Sequence, residues 1–155
     1  MNIKPIPEIE KEIIEDFALF DSWEDKYEYI IDMGKKLPVL EDAHKLNENK
    51  IKGCQSTVWL VASYNDGRVF FKADSDAVIV KGLISMLIKV LSGHSPTEII
   101  DARLDFIGEI GMMTHLAQTR SNGLLSMIKQ MKNYAIAFQA IGNQKTDHQQ
   151  IKGHG

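Results

Sequence analysis

Gln55-Ser56-Thr57-Val58-Trp59-Leu60-Val61-Ala62-Ser63-Tyr64 runs into Asn65-Asp66-Gly67 and out again through Arg68-Val69-Phe70-Phe71-Lys72-Ala73. β-branched and aromatic residues recur in both arms, and Asn, Asp and Gly between them tolerate the positive backbone angles of a tight turn. The stretch predicts an antiparallel β-hairpin, with a short third strand near Lys50 to Lys52 left open.

The chain on either side reads mainly as helix. After Pro5 and Pro7, the apolar residues Ile9, Ile13, Phe17 and Phe20 recur at spacings of three and four, which marks an amphipathic helix. Ser22 with Asp25 three residues on resembles a capping box for a second helix bearing Tyr27, Ile30 and Ile31, with Gly34 and Pro38 as its stop. Glu41 to Lys50 is polar and aperiodic, a loop. Downstream of the hairpin, Asp74-Ser75-Asp76 offers N-cap chemistry to a helix over 77–91 that is apolar on most faces and ends at Gly93.

Ser95-Pro96-Thr97-Glu98 combines a capping box with proline at the first helical position. Gly108 and Gly111 break 99–116 into one or two short helices, and a last helix follows Ser121-Asn122-Gly123 with Leu124, Met127, Ile128, Met131 and Tyr134 on one side. Trp59, Phe70, Phe71, Met86, Met112, Met113, Met127 and Met131 are expected in the core. The order predicts an α+β domain over 1–142, with a small antiparallel sheet of two to three strands packed against several helices, and a polar, disordered tail over 143–155.

At 155 residues, 44% hydrophobic and 25% charged, the chain suits a single globular domain, and its net charge of -3 gives no reason to expect nucleic acid as a partner. The charge is uneven: residues 1–48 hold 13 acids against 6 bases, and residues 120–155 hold 5 bases against 1 acid. A solvated acidic face accounts for the first segment, with a charge-matched protein partner as the alternative. No signal peptide is apparent in the acid-rich start, and Lys81 and Lys89 interrupt the most apolar stretch, which argues against a membrane span. A cytoplasmic location is expected.

Cys54 is the single cysteine, so it has no internal disulfide partner and cannot build a multi-thiolate metal site. Any chemistry here belongs to one nucleophilic sulfur. Gly53 lets the backbone turn beside it, and the neighbouring Lys50 and Lys52 are expected to lower the thiol pKa. His148 and His154 are too few for a metal site, and Cys54, His115 and Asp76 offer a nucleophile, base and orienter for a cysteine hydrolase or acyltransferase without any local motif to support it.

Three separated blocks add a resemblance. Gly53-Cys54-Gln55-Ser56-Thr57-Val58-Trp59-Leu60, then Asp74-Ser75-Asp76-Ala77-Val78-Ile79-Val80-Lys81-Gly82-Leu83, then His115-Leu116 with Thr119-Arg120-Ser121-Asn122-Gly123-Leu124 resemble the signature blocks of the SufE family of sulfur acceptors. The upstream run Lys26 to Gly34 with Leu37-Pro38 also matches.

The resemblance implies an IscU-like fold and a carrier that takes sulfane sulfur from a SufS-type cysteine desulfurase, stimulates that enzyme and delivers sulfur to a SufBCD-type iron–sulfur scaffold. Cys54 matches the sulfur-accepting cysteine. Asp76 matches an aspartate that tunes the desulfurase contact or the resting Cys54 loop, with helix capping as its rival role. Arg120 matches an arginine facing the thiolate or the partner, with a structural salt bridge as its rival, while His115 stands as a proton handler or a buried histidine bonded to backbone. Gln118 departs from the proline common two residues before the arginine. No metal, pyridoxal phosphate or nucleotide is implied, a CsdE-like carrier for another pathway is the alternative, and oligomeric state, a homodimer included, stays open.

Overall fold

The computed structural model describes the backbone of residues 3–154 and the side chains of residues 3–142. The hairpin pairs β1 (Val58–Asn65) with β2 (Arg68–Ser75), in register from Val58 opposite Ser75 to Asn65 opposite Arg68. Asp66 and Gly67 make the two-residue turn with φ of 56° and 77°, the positive pair that matches the twist of the strands. Leu60, Val69, Phe71 and Ala73 fall on the buried face. Phe70, expected in the core, lies between Val69 and Phe71 and is therefore turned to the other face, 38% exposed. Lys50 makes an isolated bridge to Trp59, so among the described residues the sheet has two strands.

Among the described residues seven helices surround the hairpin: α1 (Ile6–Ala18), α2 (Trp23–Lys35), α3 (Val78–Leu91), α4 (Pro96–Asp101), α5 (Phe106–Glu109), α6 (Met112–His115) and α7 (Gln118–His154). Ser22 caps α2 by accepting from the Asp25 N–H, and Ser95 and Glu98 close the reciprocal capping box of α4. Three local readings need correction. Asp74, Ser75 and Asp76 do not cap α3, whose N-cap is Ala77 with no side-chain hydrogen bond, because β2 continues through Ser75. Ser121-Asn122-Gly123 lies inside α7 rather than before it. Met113 is 37% exposed, whereas Met86, Met112, Met127 and Met131 are buried. The tail expected over 143–155 falls outside the residues whose side chains are described.

α3 is the central element, with Leu83, Ile84, Met86, Leu87, Val90 and Leu91 at 0% exposure. It packs against α1, α2, α7 and β2. Each such side chain contributes about 1.5–3 kcal/mol when removed from water, so the helix holds the fold by burial on several sides.

Gly34, expected to stop α2, instead lies within it and is buried. A Cβ on Gly34 would sit 2.8 Å from the Gly82 nitrogen of α3, and a Cβ on Gly82 would overlap the carbonyl oxygen of Ile30. The two helices therefore meet backbone to backbone, and Ser85 Oγ donates to the Met33 carbonyl at 2.9 Å beside the crossing. Backbone cannot swing aside as a side-chain end can. Gly82→Ala is expected to cost about 1–3 kcal/mol or more through overpacking, read as a lower urea midpoint. Gly108→Ala, where nothing lies within 4 Å of the added carbon, is expected to be neutral or to stabilise by about 0.5–1 kcal/mol; equal losses from both would contradict the crossing as the cause.

Candidate active site around Cys54

The segment between α2 and β1 passes through two 3-10 turns, Asp42–His44 and Asn47–Asn49, pegged by buried Leu40 and Ile51. The Ile51 N–H donates to the Val58 carbonyl at 2.8 Å, closing residues 52–57 into a short loop with Cys54 on it. Gly53 takes φ of 90°, and a Cβ there would lie 2.6 Å from Ser126 Oγ of α7. The positive φ is what calls for glycine, and the lack of a Cβ also leaves the Ser126 hydroxyl room to lie against the loop.

The Asp-Ser-Asp block holds this loop. Ser75 Oγ donates to the Thr57 carbonyl at 2.8 Å, the Thr57 N–H donates to Asp76 Oδ1 at 3.1 Å, and the Asp76 N–H returns to the Thr57 carbonyl at 3.3 Å. Asp74 ties the other end, with Lys45 at 3.1 Å and Lys81 of α3 at 3.3 Å. Burial alone would raise the Asp74 carboxyl, but the Ser75 N–H and the two lysines hold it below the ordinary carboxylate value. The sequence offered capping for Asp74 and Ser75 and left Asp76 between capping and the Cys54 loop; beside the local bonds from Ser75 N–H to Asp74 and from Ala77 N–H to Ser75 Oγ, the block bonds across the chain to Thr57, Lys45 and Lys81.

Cys54 Sγ is half-buried and lies 3.6 Å from the Gly123 carbonyl oxygen in the first turns of α7, where the thiol donates a weak hydrogen bond. Burial pushes its pKa above the ordinary thiol value. Lys50 and Lys52, expected to lower it, are exposed and do not offset the burial. The seat favours the protonated thiol, because a thiolate would lose the hydrogen bond and face the carbonyl dipole instead.

Beside the sulfur is a cavity of about 260 Å³ whose lining includes Val80 and Leu83 of α3, Met127 and Arg120 of α7, and Gln55 and Ser56 of the loop. Apolar walls and one exposed guanidinium face the same space as the thiol. Arg120 therefore shares the Cys54 cavity, and Asp76 acts on the loop from outside it through Thr57. His115 is elsewhere: it is exposed, stacks on Trp23 at 4.0 Å between centroids, and its Nδ1 lies 3.0 Å from the Gly111 carbonyl. It does not line the cysteine's cavity, so no observed contact assembles a Cys-His-Asp relay. Among the described residues no group of three His, Cys, Asp or Glu is arranged to hold a metal ion, and no helix is long and apolar enough to cross a membrane. Ser75 and Thr57 were missed as loop anchors, although both lie inside the blocks that carried the resemblance.

Residues 11–135 match the family model described as SufE, Fe-S metabolism associated domain. An uncharacterized SufE-like protein of Rhizobium meliloti is 45% identical over 130 residues, covering 80% of this chain and 92% of the relative. The SufE-like protein 1, chloroplastic/mitochondrial, of Arabidopsis thaliana is 37% identical over 147 residues, 92% of this chain and 40% of the relative. The solution structure of a hypothetical protein from Thermus thermophilus is similar in fold, with a TM-score of 0.70 at 19% identity over 83% of this chain and 94% of that one.

The raised thiol pKa sets the sign of a reactivity test. Below the ordinary thiol value of about 8.5 the neutral form dominates, and each unit of upward shift cuts the thiolate fraction about tenfold. Iodoacetamide alkylation of Cys54 is expected to rise with pH through a midpoint above that of a free cysteine. Asp76→Ala, which frees the Thr57 end of the loop, is expected to move the midpoint down and raise the rate at pH 8. A native midpoint at or below the free-thiol value contradicts the seat.

Proposed function

The chain belongs to the SufE family, and on that premise we propose that Cys54 accepts sulfane sulfur from a SufS-type cysteine desulfurase and carries it as a persulfide toward a SufBCD-type iron–sulfur scaffold. The observation that carries this reading is the half-buried thiol on a closed loop, opening on a cavity with space for more than a thiol hydrogen.

In the transfer, Cys54 releases its proton to solvent and its thiolate attacks the terminal sulfur of the desulfurase persulfide. The new bond joins Cys54 Sγ to that sulfur, the old sulfur–sulfur bond breaks, and the desulfurase cysteine leaves as a thiolate. The reaction moves one sulfur at the persulfide level with no external oxidant. Removing the persulfide frees the desulfurase for another turnover, which is how an acceptor stimulates it.

The resting seat opposes this attack twice, by burial and by the Gly123 carbonyl, so docking must draw the loop out. Asp76 sets how firmly the loop rests, through Thr57, and Arg120 stabilises the anionic persulfide or meets acidic groups of the partner. His115 stands at most as a partner contact beside Trp23, and the hydrolase alternative draws no support from its position. A CsdE-like branch would use the same cysteine chemistry with a different recipient.

Cys54→Ser separates carriage from allosteric stimulation. With desulfurase and cysteine in excess, native chain is expected to raise alanine production and the serine variant to leave it at the rate of the desulfurase alone. Stimulation retained in full by the variant would contradict the carrier role.

A further inference from the structure

A second cavity, of about 600 Å³, opens between α1, α4 and α5 and shares no lining residue with the Cys54 cavity. Its inner wall is apolar: Phe106 is at 0% exposure, Ile6 at 5% and Ala102 at 8%, with Ile14 beside them. Lys132 of α7 fixes this wall from behind, donating to the Ile100 carbonyl at 3.1 Å and also to the Ala102 carbonyl, so the end of α4 is held in place without an occupant. A preformed apolar pocket is the ordinary form of a binding site.

The charge around it is mainly acidic. Glu10, Glu98, Asp101, Asp105 and Glu109 contribute to the lining against Lys11 and Arg103. Some of that charge is already engaged: Glu98 accepts from the Ser95 N–H in its capping box, and Arg103 Nε lies 3.5 Å from Asp105. Glu10 reports on the remainder. Burial first, and then the Asp105 and Glu109 carboxylates, push its carboxyl up, although it accepts a hydrogen bond from the Phe106 N–H. Among the described residues, the Asp105 and Glu109 carboxylates thus add to the negative charge at Glu10. They do not form a group suited to a metal ion, and the apolar wall would leave a bare cation unsatisfied.

We propose that this cavity docks a basic amphipathic segment of a partner protein, with an apolar side chain against Ile14 and lysine or arginine side chains on Glu10, Asp105 and Glu109. The acidic rim supplies charge complementarity and encounter rate, and the apolar wall supplies the anchor. The surface is separate from the Cys54 cavity, so one partner can occupy it while another meets the thiol.

The test uses the full chain labelled with 15N and a synthetic helical peptide of leucine and arginine at amphipathic spacing. The expected result is saturable shifts centred on the amides of Glu10, Phe106 and Glu109, binding that weakens with salt, and at least about tenfold loss in a Glu10→Gln, Asp105→Asn, Glu109→Gln variant whose circular dichroism is unchanged, in line with the 1.4 kcal/mol scale of such a factor. A second variant, Ile14→Ser, removes apolar wall without changing charge and is expected to weaken binding as well. Equal binding by a peptide with serine in place of leucine would overturn the proposal, since it would show only an acidic surface. Shifts centred elsewhere, or a concentration-dependent dimer whose self-association through this face excludes the peptide, would overturn it too.

Discussion

The carbonyl of Ile30 and the backbone of Gly82 leave no room between them for a side-chain carbon. This contact sets the depth at which α2 lies on α3, and α3 in turn is buried among α1, α7 and β2. The same helix supplies the site. Val80 and Leu83, flanking Gly82, line the Cys54 cavity, and Lys81 pairs with Asp74 at the end of the hairpin. Positioning the thiol is therefore a consequence of packing a helix whose glycine lets its neighbour come close.

Two demands on Cys54 oppose each other. At rest, burial and the Gly123 carbonyl favour a neutral and poorly reactive thiol. The proposed exchange with a persulfide needs a thiolate with access. A short loop reconciles them, because it is closed at its base by the Ile51 to Val58 hydrogen bond and tied beyond that by Thr57, Ser75 and Asp76. Residues 52–57 can leave their seat while Leu40, Ile51 and Val58 stay buried in the core. Few buried apolar contacts are at stake in such an opening, which is the physical meaning of a low-stability segment.

Much of the fold was legible because it is encoded locally. The Asp66-Gly67 turn, the reciprocal bonds of Ser95 and Glu98 and the apolar run of α3 each depend on residues close in the chain. What could not be read depends on partners distant in sequence. A glycine that ends a helix and one that admits another helix look alike, and only Gly82 distinguishes them for Gly34. Asp-Ser-Asp before an apolar helix reads as a cap, yet a strand that runs on to Ser75 turns those side chains toward Thr57 and Lys45. Lys50 and Lys52 are near Cys54 along the chain but exposed, so adjacency in sequence misled the expected sign of its pKa. Arg120, far away in sequence, was brought to the cysteine's cavity by the resemblance of three blocks rather than by any local pattern.

The central claim is that one sulfur atom comes to rest on Cys54. Incubating the chain with a SufS-type desulfurase and cysteine, then blocking free thiols and measuring intact and peptide masses, tests it directly. The account predicts one added sulfur, located on the Cys54 peptide and removed by a thiol reductant. An unmodified Cys54 beside an active, persulfide-bearing desulfurase would contradict it.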